Sequence, residues 1–357
     1  MNRIDTFLEL VVKQGGSDLH LVSGNPPRMR IFGDIYPVRF RTLSADDTRE
    51  LLYEIMPPRA RETLEASGNV DFAHVVPELA RFRVNVFHHI DGIGAVFRII
   101  EGEVKTLEDL QLPPVLANLS RQRKGLLLVT GPTGSGKTTT LAAIVDRINR
   151  DRKGHIITIE DPVEYIHDPL GCLISQREVG THTESFADAL RSALREDPDV
   201  ILVGEMRDLE TIHLAVTAAE MGVLVLGTLH TSNAMSTVDR IINAFPPGEE
   251  PFIRAALSTS LCGIVSQQLV RRADAKGRVA AVEVLLNNAA VANIIREGSP
   301  DQLENVIQSG AMQGMQSLDT ALRRLLDSRL INGVDAYRLA RQKSHFEQYR
   351  EHGAEVE

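Results

Sequence analysis

The chain has 357 residues, 43% hydrophobic and 24% charged, which is enough for two globular domains with hydrophobic cores. Its 48 acidic residues outnumber the 39 Lys and Arg, and the formal net charge of −9 disfavours a general nucleic-acid coat, so we expect no nucleic-acid partner. The 2 cysteines cannot form a four-cysteine zinc site, so we expect no zinc. No apolar run reaches the roughly 18 to 20 residues of a membrane span, so we expect a cytoplasmic protein.

The first part of the chain, residues 1–100, is predicted to form a small mixed α/β domain. Apolar residues recur at helical spacing over residues 3–13, and a Gly-Gly pair follows, which predicts an N-terminal helix that ends there. The stretches DLHLVSG, MRIFGDIYPV and ARFRVNVFHHIDGIGAVFRII alternate apolar and polar residues between turn residues, a pattern typical of strands. The charged, proline-marked segment 101–115 is predicted to be a linker.

A second domain is predicted over residues 116–357, where short apolar runs alternate with longer helical patterns. The runs are LLLV (126–129), HIITI (155–159), VILV (200–203) and VLVLGTL (223–229). Continuously apolar strands between helices predict a parallel sheet that is buried on both faces, which makes this an α/β domain. From about residue 288 the patterns are helical to the end of the chain.

The first apolar run leads into GPTGSGKT, which matches the phosphate-binding motif G-x-x-x-x-G-K-[ST] in full, with an amphipathic helix after it. Backbone N–H groups of such a loop surround phosphate oxygens, the lysine reaches the β- and γ-phosphates, and the hydroxyl after it binds Mg²⁺. We therefore predict ATP and Mg²⁺ as ligands, with Thr138 on the metal. The predicted nucleotide-binding residues are Gly131, Pro132, Thr133, Gly134, Ser135, Gly136, Lys137, Thr138, Thr139 and Glu160. The alternative, a glycine-rich turn with an unrelated lysine, is disfavoured by the flanking strand and helix.

The other three apolar runs also end in polar residues. Glu160, Asp161 and Glu164 follow the second run, Glu205 follows the third, and His230 follows the fourth. Because the carboxyl ends of parallel strands line up at one edge, these side chains are expected to meet there. Glu205 suits a base that orients the attacking water, and His230 suits a γ-phosphate sensor. The alternatives are a surface ion pair of Glu205 with its neighbouring arginine, a turn-capping role for Glu160 and Asp161, and a structural histidine.

These motifs together resemble the secretion ATPases of the type II secretion and type IV pilus superfamily, and among them the pilus retraction, or twitching-motility, ATPases. The resemblance is carried by GPTGSGKTTTLAA, HIITIEDPVEYIH, SQREVG, ALREDPDVILVGEMRDLETI and GTLHTSNA. The stretches GGSDLHL, RFRVNVF, NIIRE and GMQSLDTAL extend it over nearly the whole chain. The extra N-terminal domain and four-cysteine insertion usual in extension and secretion ATPases are missing, which favours the retraction type.

The resemblance implies roles for particular residues. Lys137 falls in the Walker A loop, Glu164 in the acidic Asp box, Glu205 in the Walker B segment and His230 in the His box. It further implies catalytic roles for Glu164, Glu205 and His230.

The resemblance also implies a RecA-like ATPase domain preceded by a PAS-like N-terminal domain. Arg83 and Arg98 of the N-terminal domain match the basic residues that approach the phosphates in the family, although a charge on a strand surface is the alternative for both. The implied assembly is a homo-hexamer that drives pilus retraction by acting on an inner-membrane platform protein, so that it would be peripheral to the inner membrane.

Two positions depart from the family pattern. The family usually has a second histidine where this chain has Val223, and an arginine where it has Ala292. These departures leave open an accessory retraction ATPase that works with a principal motor. A RecA-like nucleic-acid translocase and a nucleotide-bound scaffold ring are further alternatives.

Overall fold

The computed structural model describes residues 2–31, 33–100, 104–274 and 277–350. It divides into two compact units: the first contains the described residues up to 100 together with Pro162–Ile166, and the second contains the described residues of Val104–Asp161 and His167–Glu357. Of the predicted linker, residues 101–103 lie outside the described residues. Among the described residues, no helix has both the length and the apolar character needed to cross a bilayer.

The first unit is a six-stranded antiparallel sheet with three helices. The helices are α1 (Asp5–Lys13), α2 (Ala45–Ile55) and α3 (Pro58–Ser67), and the strands are β1 (Asp18–Val22), β2 (Arg28–Ile31), β3 (Asp34–Pro37), β4 (Asn69–Val76), β5 (Ala80–His89) and β6 (Gly92–Ile100). The strand order is β3-β2-β1-β6-β5-β4. Helices α2 and α3 lie in a stretch for which the sequence pattern predicted no element, and Ser44 begins α2 with a capping box that it shares with Asp47.

The second unit contains a seven-stranded sheet. Its strands are β7 (Gly125–Thr130), β8 (His155–Glu160), β9 (Leu173–Glu178), β10 (Val200–Val203), β11 (Leu224–Leu229), β12 (Leu261–Arg271) and β13 (Arg278–Leu286), in the order β13-β12-β7-β11-β10-β8-β9. All neighbouring pairs are parallel except the edge pair of β12 and β13. The four predicted runs form the four central strands β7, β11, β10 and β8. Strands β9, β12 and β13 were not predicted, and β13 makes the sheet mixed at one edge.

Helices cover both faces of this sheet. They are α4 (Val115–Leu119), α5 (Lys137–Asp151), α6 (Phe186–Ala193), α7 (Leu209–Glu220), α8 (Ala234–Ile242), α9 (Glu250–Ser260), α10 (Ala289–Glu297), α11 (Leu303–Ser309), α12 (Leu318–Asp327) and α13 (Gly333–Leu339), with short 3₁₀ segments at Pro300–Gln302, Ala311–Gln313 and Lys343–Tyr349. Leu126 and Leu128 pack in one hydrophobic cluster while Leu127 and Val129 pack in another, because side chains alternate between the faces of a strand. This burial on both faces confirms the predicted α/β fold.

Candidate functional site

The glycine-rich loop between β7 and α5 is held in a conformation that only glycine tolerates at its first position. Gly131 has φ +147°, and a Cβ atom there would lie 2.3 Å from the carbonyl oxygen of Gln267 and 2.5 Å from Ser135 Oγ. Gly136, with φ +86°, then turns the chain into the first turn of α5. The loop therefore presents its backbone at the carboxyl end of a fully buried strand, where phosphate-binding loops lie.

The polar groups inside the loop fit a phosphate. Lys137 is only 9% exposed, and its Nζ donates to the carbonyl oxygens of Gly131 at 2.9 Å and Pro132 at 3.1 Å, so the ammonium group is held over the loop. Ser135 Oγ is buried and has no hydrogen-bond partner among the described residues. A buried hydroxyl without a partner and an ammonium group beside a helix N-terminus are suited to phosphate oxygens. Thr138, half-buried in the first turn of α5, is placed for a metal bound to that phosphate.

Gln267, which the sequence analysis did not identify, anchors the loop from the neighbouring strand β12. Its Nε2 donates to the carbonyl oxygen of Ser135 at 2.7 Å, and its Oε1 accepts from Thr140 Oγ1 at 2.8 Å. The residue before it, Ser266, shares a 2.9 Å hydrogen bond with Thr130 at the end of β7. The only sequence signal was a group of three polar residues, Ser266, Gln267 and Gln268, that interrupts an apolar run. Two consecutive residues of β12 thus fix both the start and the end of the loop.

The strand register brings the predicted polar residues to the edge from which this loop emerges. Val203 of β10 pairs with Ile159 of β8 on one side and with Gly227 of β11 on the other. Leu229 of β11 pairs in turn with Thr130 of β7. Glu160 is the last residue of β8, and Gly204, Glu205, His230 and Gly131 follow the ends of β10, β11 and β7, so all of them lie along the same carboxyl edge of the sheet.

Glu205 is positioned by the residues on either side of it. The N–H of Gly204 donates to the Ile159 carbonyl at 2.8 Å, and the N–H of Met206 donates to the Thr228 carbonyl at 3.0 Å. Met206 is 1% exposed and fills the space beside Gly227, where a Cβ atom would meet its sulfur at 2.5 Å. Burial of Met206 and backbone pairing of Gly204 leave Glu205 as the residue that faces the edge of the sheet.

The carboxylate of Glu205 lies in a cluster of positive and polar groups. Its Oε1 accepts from Arg207 Nε at 2.6 Å and is 3.0 Å from His230 Nε2. Burial acts to raise the pKa of the Glu205 carboxyl, but the hydrogen bond from Arg207 and the charges of Arg207, His230 and Lys137 outweigh it, so that the pKa lies below its ordinary value. Glu205 is therefore ionised at neutral pH. It also interacts electrostatically with Lys137, although the two are far apart in sequence.

The three acidic residues at and after the end of β8 have different surroundings. Glu160 is 7% exposed and accepts from Thr158 Oγ1 at 2.6 Å and from Gln176 Nε2 at 3.5 Å. Asp161 acts with Glu205 to raise the pKa of the Arg207 guanidinium, for which the Glu205 hydrogen bond is the main cause. Glu164 is half-buried and lies in Pro162–Ile166, the segment that packs with the first unit.

Arg83 and Arg98 are brought together within the first unit. They are direct partners across the antiparallel pair of β5 and β6. Arg83 Nε is 3.4 Å from Asp71 Oδ1 and Arg98 Nε is 2.9 Å from Asp18 Oδ1, while the two side chains stay 46% and 69% exposed. Each guanidinium thus has a carboxylate partner, and the pair presents two exposed positive charges side by side.

The fold and the site define a P-loop nucleotide-binding protein with a RecA-like sheet. The glycine-rich loop with its lysine follows a fully buried strand, and an acidic residue follows a nearby parallel strand. The model of the family described as "Type II/IV secretion system protein" matches residues 2–356. The chain belongs to this family, which confirms the resemblance drawn from its motifs.

Two curated relatives and one solved structure show the extent of the similarity. The chain is 47% identical over 343 residues to the "Type IV pilus retractation ATPase PilT" of Pseudomonas aeruginosa, covering 96% of this chain and 99% of that protein. It is 42% identical over 332 residues to the "Type IV pilus ATPase PilU" of the same organism, covering 93% and 87%. A crystal structure described as the pilus retraction motor PilT with bound ADP matches with a TM-score of 0.90 and 42% identity, covering 98% of this chain and 99% of that one.

Proposed function

We propose that this chain is an ATPase that works as the motor of type IV pilus retraction. The observation that carries the proposal is the placement of Lys137 and Glu205 at one edge of the sheet, close enough for the lysine charge to lower the pKa of the glutamate. Similarity over nearly the full length to a pilus retraction ATPase at 47% identity supports the pilus as the object of the work.

The site supports a division of labour in ATP hydrolysis. The loop N–H groups, Ser135 Oγ and Lys137 bind the phosphates of ATP. Thr138 holds Mg²⁺, which supplies positive charge at the β- and γ-phosphates when bound. Glu205, ionised and fixed by Arg207, accepts a hydrogen bond from the attacking water and orients it. His230, 3.0 Å from the same carboxylate oxygen, is placed to link that glutamate to the γ-phosphate.

The remaining predicted residues are assigned roles around the phosphates. Glu160 is proposed as a nucleotide-site residue held by Thr158, and Glu164 as the acidic residue of the Asp box. Arg83 and Arg98 are proposed to supply positive charge to the transferring phosphate, as the family resemblance implies. Their high exposure leaves both guanidinium groups accessible for that role.

The proposed working form is a homo-hexamer in the cytoplasm, in contact with a platform protein of the inner membrane. Domain movements during the ATP cycle would be passed to that protein. These partners come from the resemblance to retraction motors.

The experiment is deletion of the gene in its host. We expect surface filaments to accumulate and twitching to stop, with both restored by the wild-type gene but not by Lys137→Ala. Lys153→Ala, an exposed lysine just beyond the same helix, is the matched control and should restore both. Unchanged filaments and motility after deletion would contradict a retraction role.

A second candidate is an accessory retraction ATPase, which is favoured by Val223 and Ala292, the two positions that depart from the family pattern. In that case the deletion strain would still retract pili, but with reduced motility under load, and a second retraction ATPase gene would be needed for motility. A nucleic-acid translocase would instead show ATPase activity that single-stranded DNA or RNA stimulates in a salt-sensitive manner.

A further inference from the structure

An ion pair between the buried carboxylate of Glu283 and the more exposed guanidinium of Arg341 lies against the turn that follows His230, outside the predicted site. Glu283 of β13 is 1% exposed, and its Oε2 accepts from Arg341 Nη1 at 2.6 Å. Arg341 lies between α13 and the last 3₁₀ segment, so the pair joins the sheet to the C-terminal part of the second unit. A buried carboxylate is costly unless it is paired and hydrogen-bonded, which raises the question of what this pair holds.

Both members of the pair also bind the backbone of one short turn. Arg341 Nη2 donates to the carbonyl oxygen of Ser232 at 3.0 Å, and Glu283 Oε1 accepts from the N–H of Ala234 at 2.8 Å. These four groups close a ring around residues 232–234, where the connection between β11 and α8 leads into the helix. His230 is only two residues before the start of this ring.

The ring is fixed on its outer side as well. Asp319 of α12 accepts from the N–H of Arg341 and from the N–H of Gln342, each at 2.8 Å, so the backbone that carries the guanidinium is itself held. In the sheet, Glu283 of β13 is the cross-strand partner of Ser266 of β12. Ser266 in turn shares a hydrogen bond with Thr130, which lies beside the phosphate loop. The turn is thus tied at both ends to rigid elements.

We propose that Arg341 and Glu283 are positioning residues that hold the 230–234 turn and thereby keep His230 against Glu205. The inference deepens the proposed ATPase function and rests on it for the role of His230. Arg341 brings three properties to this position: a charge for Glu283, a second donor for Ser232, and a planar fork that serves both at once. A lysine keeps the charge but replaces the two-nitrogen fork by a single ammonium nitrogen.

The test compares Arg341→Gln with the matched control Arg350→Gln, which removes an exposed arginine paired with Glu347. We expect Arg341→Gln to lower kcat about ten- to a hundredfold, the size of effect that a misplaced catalytic group produces, with KM for ATP within about twofold. Arg341→Lys should give an intermediate loss. Arg350→Gln should match the wild type.

Two further measurements separate positioning from a general loss of structure. In a His230→Gln background, Arg341→Gln should cause no further loss of kcat, because the residue acts through His230. The same fold-loss in both backgrounds would overturn the proposal. Hydrogen–deuterium exchange in a peptide spanning 229–237 should rise in Arg341→Gln and in Arg341→Lys while exchange in α5 stays unchanged, and unchanged exchange in that peptide would also overturn it. A wild-type chain that hydrolyses no ATP would refute the proposed function, and the exchange result would still decide whether the ring holds the turn.

Discussion

Replacing Gln267 by alanine is expected to loosen the phosphate loop, although Gln267 is not part of the motif itself. The change removes the donor to the Ser135 carbonyl and the acceptor for Thr140 Oγ1. A buried carbonyl left without a partner costs about 1 to 3 kcal/mol. The Thr140 hydroxyl can turn back to the Gly136 carbonyl one helical turn earlier, which limits its loss to about 0.5 to 1.5 kcal/mol. The free energy of unfolding should therefore fall by about 1.5 to 4.5 kcal/mol.

Urea unfolding followed by circular dichroism measures this loss, and titration with a fluorescent ADP analogue measures the effect on the site. If about 1.4 kcal/mol of the lost stabilisation energy comes from the loop conformation that binds nucleotide, the nucleotide affinity drops about tenfold. Gln268→Ala is the matched control, because Gln268 is half-buried and faces the other side of the same strand. A Gln267→Ala protein with wild-type stability and affinity would refute the anchoring role.

Three further predictions address the loop, the N-terminal arginines and the response to acid. Lys137→Ala should abolish ATP hydrolysis while circular dichroism stays unchanged, because the Lys137 ammonium group lies over the loop, where it donates to the carbonyl oxygens of Gly131 and Pro132; unfolding of the variant would contradict this placement. Arg83→Ala should lower kcat by about 10³-fold, the low end for an arginine that neutralises a transferring phosphate, with ADP affinity largely retained; normal turnover would remove Arg83 from the mechanism. Burial acts to raise the pKa of Asp18, but hydrogen bonds from Ser17 and Arg98 bring it below its ordinary value of 3.8. The Asp18 carboxylate is therefore protonated less readily in the folded state than in the unfolded chain. Its contribution to the free energy of unfolding is present above pH 3.8 and is lost as the pH falls through the lower folded-state pKa. Urea midpoints measured from pH 6 to pH 2 should show a smaller acid loss in Asp18→Asn than in the wild type, and equal losses would contradict the prediction.

The sequence predicted those parts of the site that depend on local patterns. The loop motif fixes Lys137 by its spacing, and the apolar runs before Glu205 and His230 identify buried parallel strands, whose carboxyl ends necessarily meet at one edge. The convergence of these residues thus followed from strand geometry, without knowledge of any individual contact.

The residues that the sequence did not reveal depend on pairings between distant parts of the chain. Gln267 reaches the loop only because β12 pairs with β7, and the pattern of β12 alone does not specify that neighbour. Glu283 and Arg341 meet only after α12, α13 and β13 have packed together. In the same way, the motif that contains Glu164 gives no sign that Pro162–Ile166 packs with the first unit. Side-chain pairing of this kind is set by tertiary packing, which single-sequence periodicity does not encode.

The central claim is that Lys137 and Glu205 act on the same ATP, one in binding and the other in hydrolysis. Single-turnover hydrolysis by Glu205→Gln, with ATP bound at saturation, tests it most directly. We expect the variant to bind ATP with near wild-type affinity but to hydrolyse it about 10² to 10⁴ times more slowly, because it lacks the group that orients and deprotonates water. Hydrolysis at the wild-type rate would show that Glu205 does not act on the bound ATP.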